Sequence, residues 1–295
     1  MLGMPARAVP RWGSRSRTLR AQTWAGTAAW ALAVVVVLVL CLWPLWFMAS
    51  TALMTSDQFF TTSLQWLPSP VTWDNINRAW NQAPFAKYFR NTMIIEFWTL
   101  LGTTLSASMI AYSFARLRWP GRDVLFLVLL ATIMLPQQVT MIPQYIIFRH
   151  LGWIDTWFPL IVPAFLGGSP FYIFLLRQFM RGIPRELSEA ARLDGCNEYR
   201  IYWSIVLPLC RPALAAVAIF TFVATWNDFL NPLIYLQSDD KKTVALGLTS
   251  FTTQYGTDVT GLLAAATIAV IPPMLLFLVA QRYFIAGITF TGSKG

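Results

Sequence analysis

Charge is what this chain has least of. Asp, Glu, Lys and Arg make up 12% of its 295 residues, about half of the roughly 25% usual in a soluble domain. Histidine occurs once, at His150, which excludes a histidine-based metal cluster and the usual triads of nucleophilic catalysis. The three cysteines, Cys41, Cys196 and Cys210, form no disulfide framework. Cys41 lies in an apolar run, and the other two fall in a segment assigned below to the reducing side of a membrane. No G-x-x-x-x-G-K-[ST] loop for ATP occurs, and no H-E-x-x-H or G-x-S-x-G. The pattern thus offers no catalytic residues, no metal site and no nucleic-acid module.

Apolar residues take the place of charge. They make up 56% of the chain, and the mean hydropathy is +0.54. Crossing a hydrocarbon core of about 30 Å takes roughly 20 such residues in a helix. Six segments qualify: residues 27–49, 93–114, 124–148, 157–176, 212–236 and 261–281. Several carry helix breakers, namely Pro136 and Pro143, Pro163 with Gly167-Gly168, and Pro272-Pro273. Membrane helices keep these where neighbours satisfy the freed backbone groups. The net charge of +9 then reports topology. Residues 1–24 form a basic segment with Arg7, Arg11, Arg15, Arg17 and Arg20 and no acid. The run that follows is longer than the 7–15 residues of a signal peptide, so it reads as a retained first span. With both termini cytoplasmic, sixteen Lys and Arg fall inside and six outside, as the positive-inside rule requires. The expectation is an all-α, six-span protein of the bacterial cytoplasmic membrane, with residues 25–295 as one transmembrane domain.

Two connections are long. The outer one, about residues 50–88, contains a helical candidate opening at Thr72 with Trp73, Ile76 and Trp80 on one face. The inner one, about residues 181–211, is more informative. Pro184 suits a first helical turn, where its missing N–H has no intrahelical partner. Glu186 and Glu189 follow near the positive end of the helix dipole. Gly195 stops the helix as a C-cap glycine. Asn197 then caps a second short helix running through Tyr199, Tyr202, Trp203 and Val206 to Pro208. The segment is a helix–turn–helix outside the bilayer. Ala190 and Ala191 keep one face small for the close approach of a partner, and the charged rim can set its register.

Here the residues resemble a known family. Glu189-Ala190-Ala191, then Gly195 after three residues, then Ile205-x-Leu207-Pro208 after nine, match the "EAA" motif. That motif marks the integral-membrane subunits of binding-protein-dependent ATP-binding-cassette importers. The stretch Ala224-Thr225-Trp226-Asn227-Asp228-Phe229-Leu230-Asn231-Pro232-Leu233 looks like one found in carbohydrate permeases of the maltose type. So do Gln281-Arg282-Tyr283-Phe284-Ile285-Ala286-Gly287 and Tyr88-Phe89-Arg90-Asn91-Thr92. The resemblance runs from about residue 25 onward, with Cys196 where alanine is common, and the length is that of the smaller of two permeases. It implies that Glu189, Ala190, Ala191, Asp194, Gly195, Ile205, Leu207 and Pro208 form an ATPase-coupling site. It also implies a second, different permease subunit, two cytoplasmic ATPase subunits that carry ATP and Mg, and an extracytoplasmic solute-binding protein. Membrane lipid surrounds the chain, which binds no cofactor of its own and is not an enzyme.

Polar residues inside spans need a reason, because a charge at the bilayer centre costs about 2.5–3.5 kcal/mol on insertion scales. Glu96 and Asp228 are the acids placed there, and both map to the outer half, where a shared cavity would open. Gln137, Gln138, Trp226, Asn227 and Asn231 add amides and an aromatic ring suited to a hydroxyl-rich solute. The opposing interpretation is that these groups bond only between helices or reach to the interface. No basic residue is expected buried in a span, which disfavours an anionic cargo. A glycerol-phosphate-like or peptide cargo remains the alternative within the family. An ion-driven transporter would leave the inner loop unexplained, and a membrane-embedded enzyme would rest on Glu96 and Asp228 alone.

Overall fold

The computed structural model describes the backbone of residues 15–61, 66–81, 84–253 and 256–291, and their side chains apart from residues 15–26, 28 and 282–291. Arg7 and Arg11 of the basic segment, and Lys294, lie outside the described residues. The architecture is helical, with one small addition: Thr252–Thr253 pairs antiparallel with Gly256–Thr257.

Among the described residues four helices are long and apolar enough to cross a membrane, and two bent pairs raise the count to as many as six. Helix α1 (Arg15–Ala52) absorbs part of the basic segment. Leu38, Leu40, Trp43 and Trp46 along it are exposed, a face for lipid rather than water. Helix α2 (Asp74–Asn81) is the short amphipathic one. Its buried face is Asn75 and Ala79, with Ile76 half-buried, whereas Trp73 and Trp80 point outward. The expected aromatic face therefore splits. Asn75 is held inside because its amide donates to the carbonyls of Ala52 and Met54 at 3.0 and 2.6 Å.

Helix α3 (Phe85–Arg116) is the axis of the fold. Ala107, Ala111 and Ala115 recur every fourth residue along it and are buried, so neighbouring helices approach closely at that end. The expected third span is not straight. It breaks into α4 (Arg122–Thr132) and α5 (Gln137–His150), which cross at 101°. Pro136 is the cause, since it biases Leu135 away from the helical region and cannot donate. Pro143, by contrast, stays inside α5.

The fourth span contains a turn of helix at Phe158–Ile161, a 3-10 stretch at Val162–Leu166 and the left-handed pair Gly167-Gly168. It then continues as α6 (Pro170–Gly182). Helix α3 satisfies the backbone groups freed there. Ser106 Oγ donates to Ala164 O at 2.8 Å and accepts from Gly167 N at 3.1 Å, the compensation that hydrocarbon demands. After α6 come α7 (Glu186–Leu193) and α8 (Glu198–Leu209). The fifth span stops early: α9 (Arg211–Trp226) ends before Asn227, and α10 (Leu230–Tyr235) follows a short break. Helix α11 (Val259–Thr291) holds Pro272-Pro273 without interruption.

Two buried clusters sit at opposite ends of α3. One joins α3 to α6, α7, α8 and α9 through Tyr112, Leu176, Met180, Ile201 and Val206. The other joins α1, α2, α3 and α11 through Ala52, Ala79, Phe85, Tyr88 and Ala264. In the second, a Cβ on Gly247 would run into the buried ring of Tyr88. A Cβ on Gly102 would meet the ring of Phe165 at 2.6 Å, but that ring is 42% exposed and free to swing. Gly247→Ala is therefore expected to cost about 1–3 kcal/mol by overpacking, and Gly102→Ala much less. Urea unfolding of the two variants in detergent checks the order.

The loop between α5 and α6 is pinned to the loop after α10 by Asp155, which takes a positive φ of 56°. Its carboxylate accepts from Ser238 Oγ at 2.5 Å, Ser238 N at 2.9 Å, Gln237 N at 3.0 Å and Lys241 Nζ at 2.9 Å. Hydrogen bonds from Ser238, then from Lys241 and Gln237, hold this carboxyl well below its usual range. The folded chain thus binds that proton more weakly than the unfolded chain. The stabilisation is complete above the ordinary aspartate value of about 3.9 and is lost as pH falls below it. Asp155→Ala is expected to cost about 2 kcal/mol at neutral pH. The gap between variant and wild-type unfolding midpoints should narrow at acid pH.

Candidate functional site

The elbow formed by α7 and α8 follows local rules. Pro184 precedes the helix rather than opening it, with Arg185 at the N-cap. At the far end Gly195 has φ +82°. Its amide donates to Arg192 O at 3.0 Å, and the Cys196 amide to Ala191 O at 2.9 Å, the paired bonds of a Schellman cap. Asn197 accepts from Arg200 N at 2.9 Å and starts α8. Helix α8 widens at Tyr202–Val206, where the Leu207 amide reaches back to Tyr202 O. Pro208 has no N–H to offer the next carbonyl. The turn into α9 is 78°.

The elbow is strapped to the end of α3. Glu198 accepts from Tyr112 Oη at 2.6 Å and from Arg192 Nε at 2.8 Å, tying α7, α8 and α3 together. Arg192, with Tyr112 assisting, holds the Glu198 carboxyl below the usual glutamate range, so this strap stays ionised at neutral pH. Tyr202 and Ser108 hydroxyls lie 2.7 Å apart, and Arg116 Nη2 donates to Ile183 O at 2.7 Å. Movement of the elbow is thereby movement of α3.

The expected coupling residues divide in two. Glu189, Ala190, Asp194, Gly195 and Pro208 are exposed, whereas Ala191 is buried and Ile205 and Leu207 pack partly on the chain's own core. The small face expected of Ala190 and Ala191 together is therefore not shared: one alanine faces outward and the other inward, as their 100° separation on a helix requires. A residue that the motif does not mark stands out at the tip. Leu193 is 90% exposed, with Leu187 and Tyr199 also uncovered.

The polar residues of the spans also divide. Asp228 lies in the break between α9 and α10. It accepts from Asn231 N at 3.1 Å and Asn231 Nδ2 at 2.8 Å, and Gln137 Nε2 reaches Asn231 Oδ1 at 3.4 Å. The bend after α4 and the break after α9 thus meet through three polar side chains. Asn227 bonds to Val223 O of its own helix, and Gln138 is exposed. The Trp226 indole donates to Ala269 O at 3.0 Å and stacks on Phe222, which places it in packing between α9 and α11. Glu96 is buried apart from this group, and among the described residues both of its carboxyl oxygens lack a partner. Among the described residues no hydrogen bond joins it to Asp228. The expectation of no buried basic residue needs correction. Arg177, just past the expected end of the fourth span, is 7% exposed. Its guanidinium lies 3.7 Å over the Phe126 ring, and its Nε donates to Phe114 O.

Residues 103–290 match the family described as the binding-protein-dependent transport system inner membrane component. The chain belongs to this family. The permease is 38% identical over 229 residues to an arabinooligosaccharide transport permease, AraQ, of Halalkalibacterium halodurans, covering 77% of this chain and 81% of that one. It is 32% identical over 263 residues to the sn-glycerol-3-phosphate transport permease UgpE of Yersinia enterocolitica, covering 86% and 93%. A bacterial ABC transporter importing the acidic polysaccharide alginate superposes on the permease with a TM-score of 0.79 at 21% identity, covering 94% of this chain and all of that one. That match speaks to fold. The permease is a multi-pass protein of the bacterial inner membrane.

Proposed function

We propose that this permease is one of two different membrane subunits of an ATP-driven carbohydrate importer. In this reading the elbow is cytoplasmic, both termini lie on that side, the bent pair α4 and α5 counts as one span, and α9, beyond the elbow, supplies the fifth of six. A separate ATPase pair hydrolyses ATP-Mg, and an extracytoplasmic binding protein delivers the solute. The observation that carries the proposal is the elbow: a rigid helical turn strapped to α3 with an uncovered leucine tip. Leu193, Leu187 and Tyr199 together offer a partner an apolar contact at the tip, and the straps give that partner a grip on the spans. The alginate importer, whose fold the chain shares, has also been captured with a pentasaccharide-bound periplasmic protein. The likeness to AraQ favours an oligosaccharide. The group Gln137, Asn231 and Asp228 contains acceptors and amides but no cation, which suits hydroxyl groups better than a phosphate.

The test is purification from the native membrane with identification of every co-purifying chain, followed by reconstitution into vesicles. Uptake of labelled arabinooligosaccharide that requires both ATP and the binding protein is expected. Uptake that persists with the ATPase removed would overturn the proposal.

A further inference from the structure

A basic groove runs beside the base of the elbow, and nothing above uses it. Three hollows adjoin there, each lined by both Arg122 and Arg185. The one nearest the bundle has a volume of about 370 Å3 and adds Arg177, Arg181, Phe126 and Leu127, within the roughly 300–1,000 Å3 of small-molecule sites. Its one acid, Asp123, is paired with the neighbouring Arg122 at 3.0 Å. Among the described residues the guanidinium groups of Arg181 and Arg185 have no ion pair or hydrogen bond, and the adjacent Arg116 keeps a buried Nε without a partner. Glu189 and Glu198 line only the hollow farther along, and Glu198 is paired with Arg192. Guanidinium groups that outnumber acids in this way are a site for an anion with several oxygens.

The surroundings choose between anions. From the groove, α4 rises as an uncovered apolar wall of Val124, Leu127 and Val128, each more than half exposed. Arg122 stands at the first residue of that helix and Arg181 in the last turn of α6. Cations where two apolar helices end sit at headgroup depth, with the wall extending toward the acyl region. A free phosphate would use the arginines and leave the wall bare, whereas a phospholipid uses both. We infer that this groove binds the phosphodiester of an anionic phospholipid, which bridges α4 to the Arg185 base of the elbow.

The site rests on the membrane placement of the chain and needs neither solute nor ATP, so its failure and the failure of the import reading are told apart. Native mass spectrometry of the intact assembly, delipidated and titrated with phosphatidylglycerol, provides the measurement. Arg181→Gln with Arg185→Gln is expected to weaken one retained phosphatidylglycerol roughly thirty-fold, about five-fold per guanidinium. The paired change of both to Lys should restore most of the binding, which separates lost charge from lost folding. Phosphatidylcholine should not occupy the site, and inorganic phosphate should displace phosphatidylglycerol only weakly. Equal retention by wild type and the glutamine pair would overturn the inference. So would full displacement by inorganic phosphate at equal concentration, which would mark a free-anion site.

Discussion

Gly195→Asp should reduce solute uptake about tenfold or more while leaving membrane insertion unchanged. Gly195 holds φ +82°, and an added Cβ would meet no atom within 4 Å, so the bundle has nothing to rearrange. The backbone penalty for a non-glycine residue in the left-handed region is about 1–2 kcal/mol, and aspartate is among the residues that bear it best. The larger effect lies at the surface. A second carboxylate would stand beside Asp194 and the exposed Leu193, on the face that the proposed ATPase must cover. Gly195→Ala separates the two causes, because it carries at least as large a backbone penalty without charge or length. Uptake by whole cells, normalised to permease in the membrane, is expected to be near wild type for alanine and to collapse for aspartate. Equal loss in both would place the effect in the cap, and wild-type uptake for aspartate would remove the elbow from the mechanism.

The elbow was legible because capping is local. Gly195 and Asn197 end one helix and start the next with no knowledge of the bundle, whereas Pro184 falls before the first helix instead of opening it. What holds the elbow to the spans was not legible. Tyr112 and Glu198 are 86 residues apart, and Ser108 and Tyr202 are 94 apart; no periodicity relates such pairs. The apolar windows report composition and not geometry. A window over residues 124–148 measures apolar content, which a 101° bend leaves unchanged, so only Pro136 hinted at the break. The fifth span was drawn too long for a related reason. Asn227, Asp228 and Asn231 were read as guests of a helix, whereas they make the interruption and satisfy its backbone. On α2 only Ile76 of the expected face turns partly inward, while Trp73 and Trp80 stay exposed, which is ordinary for aromatic residues of a protein surrounded by lipid.

Asp228→Ala is expected to abolish most uptake, and its partner variant Asp228→Asn to retain part of it. In the native chain one carboxylate accepts both the Asn231 amide and the Asn231 side chain, and thereby orients Asn231 toward Gln137. Alanine removes both acceptors at a break in a span, where water is scarce and an unpaired N–H costs several kcal/mol. Loss of a charge-assisted bond of about 1.5–3 kcal/mol corresponds to roughly 10- to 100-fold in any step that depends on it. Asparagine keeps one carbonyl oxygen for the Asn231 amide and gives up the charge. Uptake measured across solute concentration then distinguishes two roles for the group. If it touches the cargo, Asp228→Asn raises the half-saturating concentration and leaves the maximal rate intact. If it only holds the joint between the two broken helices, the maximal rate falls and half-saturation stays where it was. Wild-type uptake in both variants would leave this polar group without a part in transport.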